Sequence, residues 1–211
     1  MKITIIYDNT AFKENLMADW GFACLVEAGR RRILFDTGAK GEILLANMKK
    51  LEIDPESIDS VFISHDHWDH TGGLEAFLDV RQVPVYVPLS FKSSPPAGNI
   101  VTVTGPISIE RDIFSTGELN DIEQSLAVLT EKGVVTIVGC AHSEVRNILK
   151  TTLKFGGNYA LIGGLHGFDE FDHIRELSII CPTHCTQHIE RIKELYPDQY
   201  TPGGAGQVIR L

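Results

Sequence analysis

Four short β-prone segments of this chain each run into a histidine, and this repeated arrangement constrains the fold more than any other feature. The histidines that follow such segments are His65, His142, His166 and His184. Because open α/β sheets gather ligand-binding groups at the carboxyl ends of their strands, a parallel or mixed sheet would bring these side chains into one cleft. The chain is therefore predicted to form a sheet with a histidine-rich site at one edge.

The first of these histidines opens the motif His65-Asp66-His67-Trp68-Asp69-His70, which packs three imidazoles and a well-placed carboxylate into six residues. Residues 65 and 67 lie two apart and can point the same way from an extended chain, while 69 and 70 follow where the chain turns. This ligand mix suits zinc, iron or manganese better than calcium or magnesium. We expect two divalent metal ions, with zinc the first choice and iron or manganese the alternatives.

Other residues near predicted strand ends complete the candidate site. His142 and His184 are predicted metal ligands, and His166 is predicted to lie in the site either as a ligand or in contact with substrate. Asp36 ends another apolar run and is predicted to orient the ring of a ligating histidine, with a turn cap as the alternative. His173 and His188 fall inside predicted helices and are placed outside the site. Six of the eight histidines would thus converge.

The four cysteines are too few and too scattered for a disulfide framework, which agrees with a reducing compartment. Cys140, Cys181 and Cys185 lie near the predicted site, where a thiolate could bind metal or act as a nucleophile. We expect them instead to be small packed side chains. Since no apolar run is long enough for a membrane helix and the first residues are too short for a signal peptide, the expected location is cytoplasmic.

Composition limits the size of the core and the class of partner. A chain of 211 residues with 43% hydrophobic content can bury a sizeable core, and one domain over 1–211 is expected. The net charge of −9 argues against a nucleic-acid or anionic-membrane partner, so a small-molecule substrate is expected. The tract Gly29-Arg30-Arg31-Arg32 is predicted to be a solvated hairpin turn, with phosphate contact as the alternative. Lys92 and Arg111 are further candidates for contact with an anionic substrate. The oligomeric state is left open.

The apolar pattern predicts many short strands and a smaller number of helices. Strands are predicted at 2–7, 21–28, 31–36, 60–64, 84–87, 99–104, 125–130, 133–138, 158–163, 178–181 and 206–210. Helices are predicted at 40–50, 72–79, 144–155, 170–177 and 187–195. Asp54-Pro55 predicts a helix cap, Ser143 a helix start and Gly156-Gly157 a helix stop. The stretch 90–99 is predicted to be a surface or site-flanking loop.

Taken in order, these motifs resemble the metallo-β-lactamase superfamily over nearly the whole chain. The resemblance is carried by Asp36-Thr37-Gly38, His65-x-His67-x-Asp69-His70, His142 and His184. A branch that contains the pterin-condensing synthases of methanopterin biosynthesis is similar in three further motifs. These are Gly139-Cys140-Ala141-His142, Gly163-Gly164-Leu165-His166 and Pro182-Thr183-His184-Cys185-Thr186.

The resemblance implies an α/β (α+β) fold, a four-layer αββα sandwich in which two mixed sheets pack face to face with helices outside. It also implies a binuclear metal centre at one edge of the two sheets. In that centre one metal is held by His65, His67 and His142, and the other by Asp69, His70 and His184. The chain departs from the family at His166, because many members have a metal-bridging aspartate at this position.

The activity that the resemblance implies is that of a metal-dependent hydrolase. In such an enzyme a metal-activated hydroxide attacks a small metabolite, which can carry phosphate. Asp69 would orient the nucleophile and His166 would donate to developing charge. An alternative is a transferase that condenses a dihydropterin diphosphate with a ribofuranosylaminobenzene phosphate. A second alternative is a diiron oxidoreductase module, and a third is a non-catalytic metal-binding module.

Overall fold

The computed structural model describes residues 1–93 and 99–211, so half of the loop predicted at 90–99 lies outside the described residues. The strands are β1 Lys2–Tyr7, β2 Ala23–Ala28, β3 Arg31–Phe35, β4 Ser60–Phe62, β5 Pro84–Pro88, β6 Asn99–Val103, β7 Ile107–Glu110, β8 Ile113–Ser115, β9 Leu126–Thr130, β10 Gly133–Val138, β11 Asn158–Gly164, β12 Ile179–Thr183 and β13 Val208–Arg210. The α-helices are α1 Gly41–Lys50, α2 Trp68–Thr71, α3 Leu74–Val80, α4 Val145–Thr152 and α5 Ile189–Leu195. Short 3-10 turns cover Pro55–Ser57 and Phe171–Ile174. Over the described ranges, no helix combines the length and hydropathy needed to cross a bilayer.

The strands form two mixed sheets. One has the order β13-β1-β2-β3-β4-β5-β6, and the other has the order β12-β11-β10-β9-β8-β7. In the first sheet β3, β4, β5 and β6 are parallel, and in the second sheet β10, β11 and β12 are parallel. The carboxyl ends of these parallel strands therefore lie at one edge of each sheet. The predicted site residues come directly after those strand ends.

Three groups of buried apolar side chains lie between the layers. The sheets face each other across a core that includes Phe35 from the first sheet and Ile137 from the second. The outer face of the first sheet is covered by α1 and α3, which contribute Leu44 and Phe77 among others. Helices α4 and α5 cover the second sheet with residues such as Ile148 and Ile192. The predicted four-layer αββα sandwich is confirmed.

Every predicted strand is present, but two further strands and one helix were not predicted. Strands β7 and β8 form a hairpin at the edge of the second sheet, and β7 is largely exposed, so it lacks a clear buried face. Helix α2 has only four residues, too few to show a helical period. The helix predicted at 170–177 is wrong, because the structure has the 3-10 turn Phe171–Ile174 there.

The helix ends test the predicted caps. Asp54 is confirmed as a cap, since its side chain accepts a hydrogen bond from the backbone N–H of Glu56. Ser143 is not a cap, because its hydroxyl donates to Glu123 Oε1 over 2.6 Å and Glu144 precedes α4 instead. Helix α4 also ends at Thr152, short of the predicted end at 155. A buried side-chain hydrogen bond has therefore replaced the local cap.

Candidate metal centre

Histidine rings from the two sheets form one cluster at the shared edge. The ring centroid of His65 lies 4.5 Å from that of His67, 4.9 Å from His142 and 4.2 Å from His70. The centroid of His184 lies 5.0 Å from that of His70. The structure thus brings together all five histidines that the sequence analysis predicts as ligands.

The first half of the cluster contains His65, His67 and His142. Nε2 of His65 lies 3.1 Å from Nδ1 of His67. Nε2 of His142 is buried and has no hydrogen-bond partner among residues 1–93 and 99–211. Removing a ring nitrogen from water costs free energy, and this cost is not compensated unless a bound group interacts with the nitrogen. This half is therefore suited to hold a cation.

The second half contains Asp69, His70 and His184. Oδ2 of Asp69 accepts a hydrogen bond from Trp20 Nε1 over 2.8 Å. The same oxygen lies 3.3 Å from Nε2 of His184 and 4.0 Å from Nε2 of His70. Nε2 of His184 is buried and makes no hydrogen bond of good geometry within the described part of the chain. Two ring nitrogens and a carboxylate oxygen thus face a common point.

Asp36 fixes the ring of His70, as the sequence analysis predicts for a ligating histidine. Its Oδ2 lies 2.7 Å from Nδ1 of His70 and also accepts from the Ser64 hydroxyl over 2.7 Å. Its Oδ1 accepts from the Ser64 backbone N–H over 2.7 Å. All three residues are fully buried. Because a carboxylate accepts only, Nδ1 carries the proton, and Nε2 presents its lone pair to the cluster.

Asp8 and Asn9 perform the same task for His184, and sequence reasoning missed both. Nδ1 of His184 lies 2.9 Å from Oδ1 of Asn9, an oxygen that also accepts from the Gly21 N–H. The Asn9 amide donates to the His184 carbonyl, so the orientation of the amide is fixed. Asp8 Oδ1 accepts from the His184 backbone N–H over 2.8 Å. The available signal was a polar pair directly after the buried strand β1.

Burial sets the charge state of the first half. It lowers the pKa of His142 to about 4, and the His67 and His166 rings act in the same direction. Burial, reinforced by His70 and His67, also holds the pKa of His65 well below its usual range. Both rings are therefore neutral at pH 7, and neutral imidazole is the form that binds metal.

Asp69 supplies negative charge to the second half. Burial by itself would raise the pKa of this carboxyl group, but the contact with His184 and the charge on His70 outweigh burial and hold the pKa below its usual range. Burial likewise would lower the pKa of His70, but Asp36 outweighs it and raises the pKa. A proton and a metal ion therefore compete for Nε2 of His70.

Four of the turns that carry the chain into the site use residues other than glycine in the left-handed region. These are Asp36 at φ 52°, Ala141 at φ 51°, His166 at φ 47° and His184 at φ 48°. Such a conformation costs an L-residue on the order of 1–2 kcal/mol. Each of these residues directly follows, or lies close behind, a parallel strand. The left-handed residues at this edge therefore direct side chains differently from residues that continue in an extended conformation.

Cys140 is buried, as expected for a packed side chain, but it also lies inside the histidine cluster. Its sulfur is 3.1 Å from Nε2 of His70, and the residue is 4% exposed. Contact with the Cys185 thiol and burial both raise the pKa of the Cys140 thiol, whereas the same contact outweighs burial at Cys185 and lowers the pKa of that thiol to about 6. Cys181 is buried in the core between the sheets, as predicted.

His166 stands beside the cluster rather than within it. Its side chain is exposed, and its ring centroid lies 5.2 Å from that of His142. His166 lines a cleft of about 500 Å³ together with Arg146 and Phe168. The cleft also reaches His142 and therefore adjoins the first half of the cluster.

Two exposed tryptophans lie next to predicted ligands: Trp68 is the sequence neighbour of His67 and Asp69, and Trp20 contacts Asp69 and His184. Trp68 is 64% exposed and Trp20 is 51% exposed, with the Trp20 ring centroid 5.2 Å from that of His184. Phe22 is fully buried in the core and cannot contact a ligand.

The predicted basic tract lies away from the site. Arg31 and Arg32 follow the turn between β2 and β3, at the opposite end of β3 from Asp36, and they pair with Glu110 and Glu27. This is the solvated hairpin turn that the sequence predicts.

The donor set fits divalent metal ions that accept nitrogen, oxygen and sulfur ligands. Ligand atoms of His65, Cys140 and His142 all lie within 4.8 Å of one another, and so do those of His70, Cys140 and His184. The unpartnered Nε2 atoms of His142 and His184 belong to different groups. Metal binding would satisfy both of these atoms.

Comparison with known proteins agrees with this geometry. The family model of the metallo-beta-lactamase superfamily matches residues 21–148. The 7,8-dihydropterin-6-methyl-4-(beta-D-ribofuranosyl)-aminobenzene-5'-phosphate synthase of Methanocaldococcus jannaschii is 26% identical over 280 aligned positions, which cover 99% of this chain and 95% of that protein.

Two solved structures share the fold. The crystal structure of Tm1679, described as a metal-dependent hydrolase of the beta-lactamase superfamily, has a TM-score of 0.81 at 23% identity and covers 100% of this chain and 99% of its own. A diphosphatase from the PhnP family has a TM-score of 0.68 at 12% identity, with 100% and 97% covered. The family match spans more than half of the chain, and the chain belongs to the metallo-beta-lactamase superfamily.

Proposed function

We propose that the protein is a metal-dependent hydrolase that acts on a small metabolite, with a phosphate-bearing one as the first choice. The observation that carries this proposal is the cluster of five histidine rings, two of which are oriented by Asp36 and Asn9, beside an open cleft. Structural zinc sites are usually closed by four ligands, whereas hydrolytic sites leave room for water and substrate. The geometry therefore favours a catalytic centre over a non-catalytic metal-binding module.

In this proposal His65, His67 and His142 hold one ion, and Asp69, His70 and His184 hold the other. When bound, divalent ions, zinc first, polarise the scissile group and lower the pKa of water from about 15.7 to about 7. Asp69 accepts a hydrogen bond from the attacking water, and Trp20 Nε1 keeps the carboxylate in place for this task. His166 donates an N–H to the negative charge that develops on the substrate.

The size of the cleft supports a small substrate. Its volume of about 500 Å³ falls in the range of roughly 300–1,000 Å³ that is usual for small-molecule sites. Arg146 and His166 line it together with Glu144, Asp169 and Glu170. The three carboxylates outnumber the arginine, which lies 3.4 Å from Glu144, so the lining disfavours a polyanion, and Arg146 is where a single phosphate would bind.

The function is tested by metal analysis together with an activity screen. Purified protein is loaded with Zn²⁺, Mn²⁺ or Fe²⁺ and assayed on phosphodiesters, phosphomonoesters, lactones and thioesters. We expect hydrolysis of at least one phosphorylated compound that stops on chelation and returns on metal addition. If every metal-loaded form leaves all four classes intact, the hydrolase proposal is wrong.

His166→Ala separates the two roles that sequence analysis leaves open for this residue. We expect kcat to fall roughly 10²-fold, the usual loss when one donor to developing charge is removed, with the number of bound metal ions unchanged. Arg146→Ala is the matched control on the same cleft, for which we expect a higher KM with kcat retained. Loss of one bound metal ion in His166→Ala would make His166 a ligand.

A synthase is the second candidate, supported by the relative that matches almost the full chain. The exposed Trp20 and Trp68 could stack on a planar pterin. Against this, the alignment runs over 280 positions whereas this chain has 211 residues, so the relative contains insertions that this chain lacks. Incubation with a dihydropterin diphosphate and a ribofuranosylaminobenzene phosphate distinguishes the candidates: a coupled product indicates the synthase, and free pterin alone indicates the hydrolase.

A further inference from the structure

Cys140 occupies a position that the two halves of the metal centre share. It follows β10, and the left-handed Ala141 turns the chain so that the residues on either side of it, Cys140 and His142, both face the cluster. The sulfur belongs to the group with His65 and His142 and also to the group with His70 and His184. Within the described residues, these are the two groups of potential ligands at the site, and Cys140 is the member they have in common.

The rings around the sulfur are oriented toward it. Asp36 directs Nε2 of His70 inward, and that nitrogen lies 3.1 Å from the Cys140 sulfur. Asn9 holds His184 by Nδ1, which leaves the unpartnered Nε2 of a side chain that is more than nine-tenths buried facing the same point. The convergence of these groups therefore does not depend on Cys140 alone.

The charge of the site calls for another anion. Two divalent ions bring four positive charges, while the predicted ligands include five neutral imidazoles and the single carboxylate of Asp69. His166 stands where many members of the superfamily have a bridging aspartate, and in this structure its side chain is exposed beside the cluster. A buried thiolate can supply the missing negative charge and bind two metal ions through one atom.

We propose that Cys140 bridges the two metal ions as a thiolate and replaces the carboxylate that the chain lacks at His166. On binding, the thiol releases one proton to solvent and its sulfur lone pairs bind both ions. This inference rests on the proposed metal-dependent function. A sulfur ligand also favours zinc, cobalt or iron over magnesium and manganese, because thiolates prefer softer ions.

The test uses Co²⁺ as a spectroscopic probe. Apoprotein is titrated with Co²⁺, and we record the near-ultraviolet absorption from sulfur-to-cobalt charge transfer together with bound cobalt by equilibrium dialysis. In the wild type the band should grow through both equivalents. In Cys140→Ser we expect the band to vanish and the second ion to bind roughly 10- to 100-fold more weakly, the usual range for loss of a supporting group at a metal site.

Cys185→Ser is the matched control, because this thiol contacts Cys140 but lies outside both ligand groups of the described residues. It should keep the band and both ions. A band that persists in Cys140→Ser, or one that disappears in Cys185→Ser, overturns the proposal. Circular dichroism of the apoproteins checks that each variant folds.

A measurement on the wild type covers the case in which Cys140→Ser does not fold. With two ¹¹³Cd²⁺ ions bound, a bridging thiolate gives two strongly deshielded cadmium resonances, and a terminal thiolate gives only one, which would refute bridging. None of these readouts depends on turnover. An intact charge-transfer band without hydrolysis would therefore reject the proposed function and leave the ligand assignment standing.

Discussion

Removal of divalent metal is expected to lower the melting temperature of the protein by roughly 8–16 °C and to abolish its hydrolytic activity. A ligand present at about 1,000 times its Kd stabilises the folded state by about 4 kcal/mol, and 1 kcal/mol corresponds to roughly 2–4 °C for a chain of this size. The physical reason is that His142 and His184 each bury a ring nitrogen that has no hydrogen-bond partner in the described residues. Only the folded chain brings these nitrogens together.

Differential scanning calorimetry of chelator-treated protein, with and without added Zn²⁺ or Mn²⁺, measures this shift. Mg²⁺ serves as the control ion, since a site built mainly from imidazoles binds it poorly. The same melting temperature in chelator and in Zn²⁺ would contradict the metal centre itself.

Asp36→Asn is expected to weaken metal binding by roughly 10- to 100-fold, the usual loss when the partner of a ligating histidine is changed. In the wild type both carboxylate oxygens accept hydrogen bonds. An amide keeps one acceptor for the Ser64 N–H but presents an NH₂ group to Nδ1 of His70. His70 must then carry its proton on Nε2, the atom that should bind metal.

Asp36→Ala provides the structural comparison. It leaves buried donors on Ser64 and His70 unpaired, and we expect the free energy of unfolding to fall by about 3–5 kcal/mol. Urea unfolding of the apoproteins measures this loss, and competition with a chromophoric chelator measures metal affinity. If Asp36→Asn binds metal as tightly as the wild type, the carboxylate does not set the tautomer of His70.

Much of the fold could be predicted because strands and their ends leave a local pattern. The apolar runs before His65, His142 and His184 are strands β4, β10 and β12, and each is buried as a continuous run predicts. The hairpin of β7 and β8 was missed because β7 lies largely exposed at a sheet edge, where the apolar pattern is weak.

Some residues of the candidate site could likewise be predicted from a local pattern, and others could not. His65, His67 and His70 share one short motif, so their proximity follows from the sequence itself. Asp8 and Asn9 meet His184 only because the chain folds β1 and β12 to the same edge, across more than 170 residues. No local pattern contains that contact.

Most of the strands, the family and the histidines and aspartate of the candidate site could be predicted from the sequence alone, because these depend on residue type and short-range spacing. The directions in which those side chains point become visible only in the folded chain. Cys140 faces both halves of the centre and His166 faces the cleft, and these directions depend on left-handed residues at the strand ends and on how the two sheets pack. Such directions arise from packing between distant segments, which neither composition nor periodicity encodes.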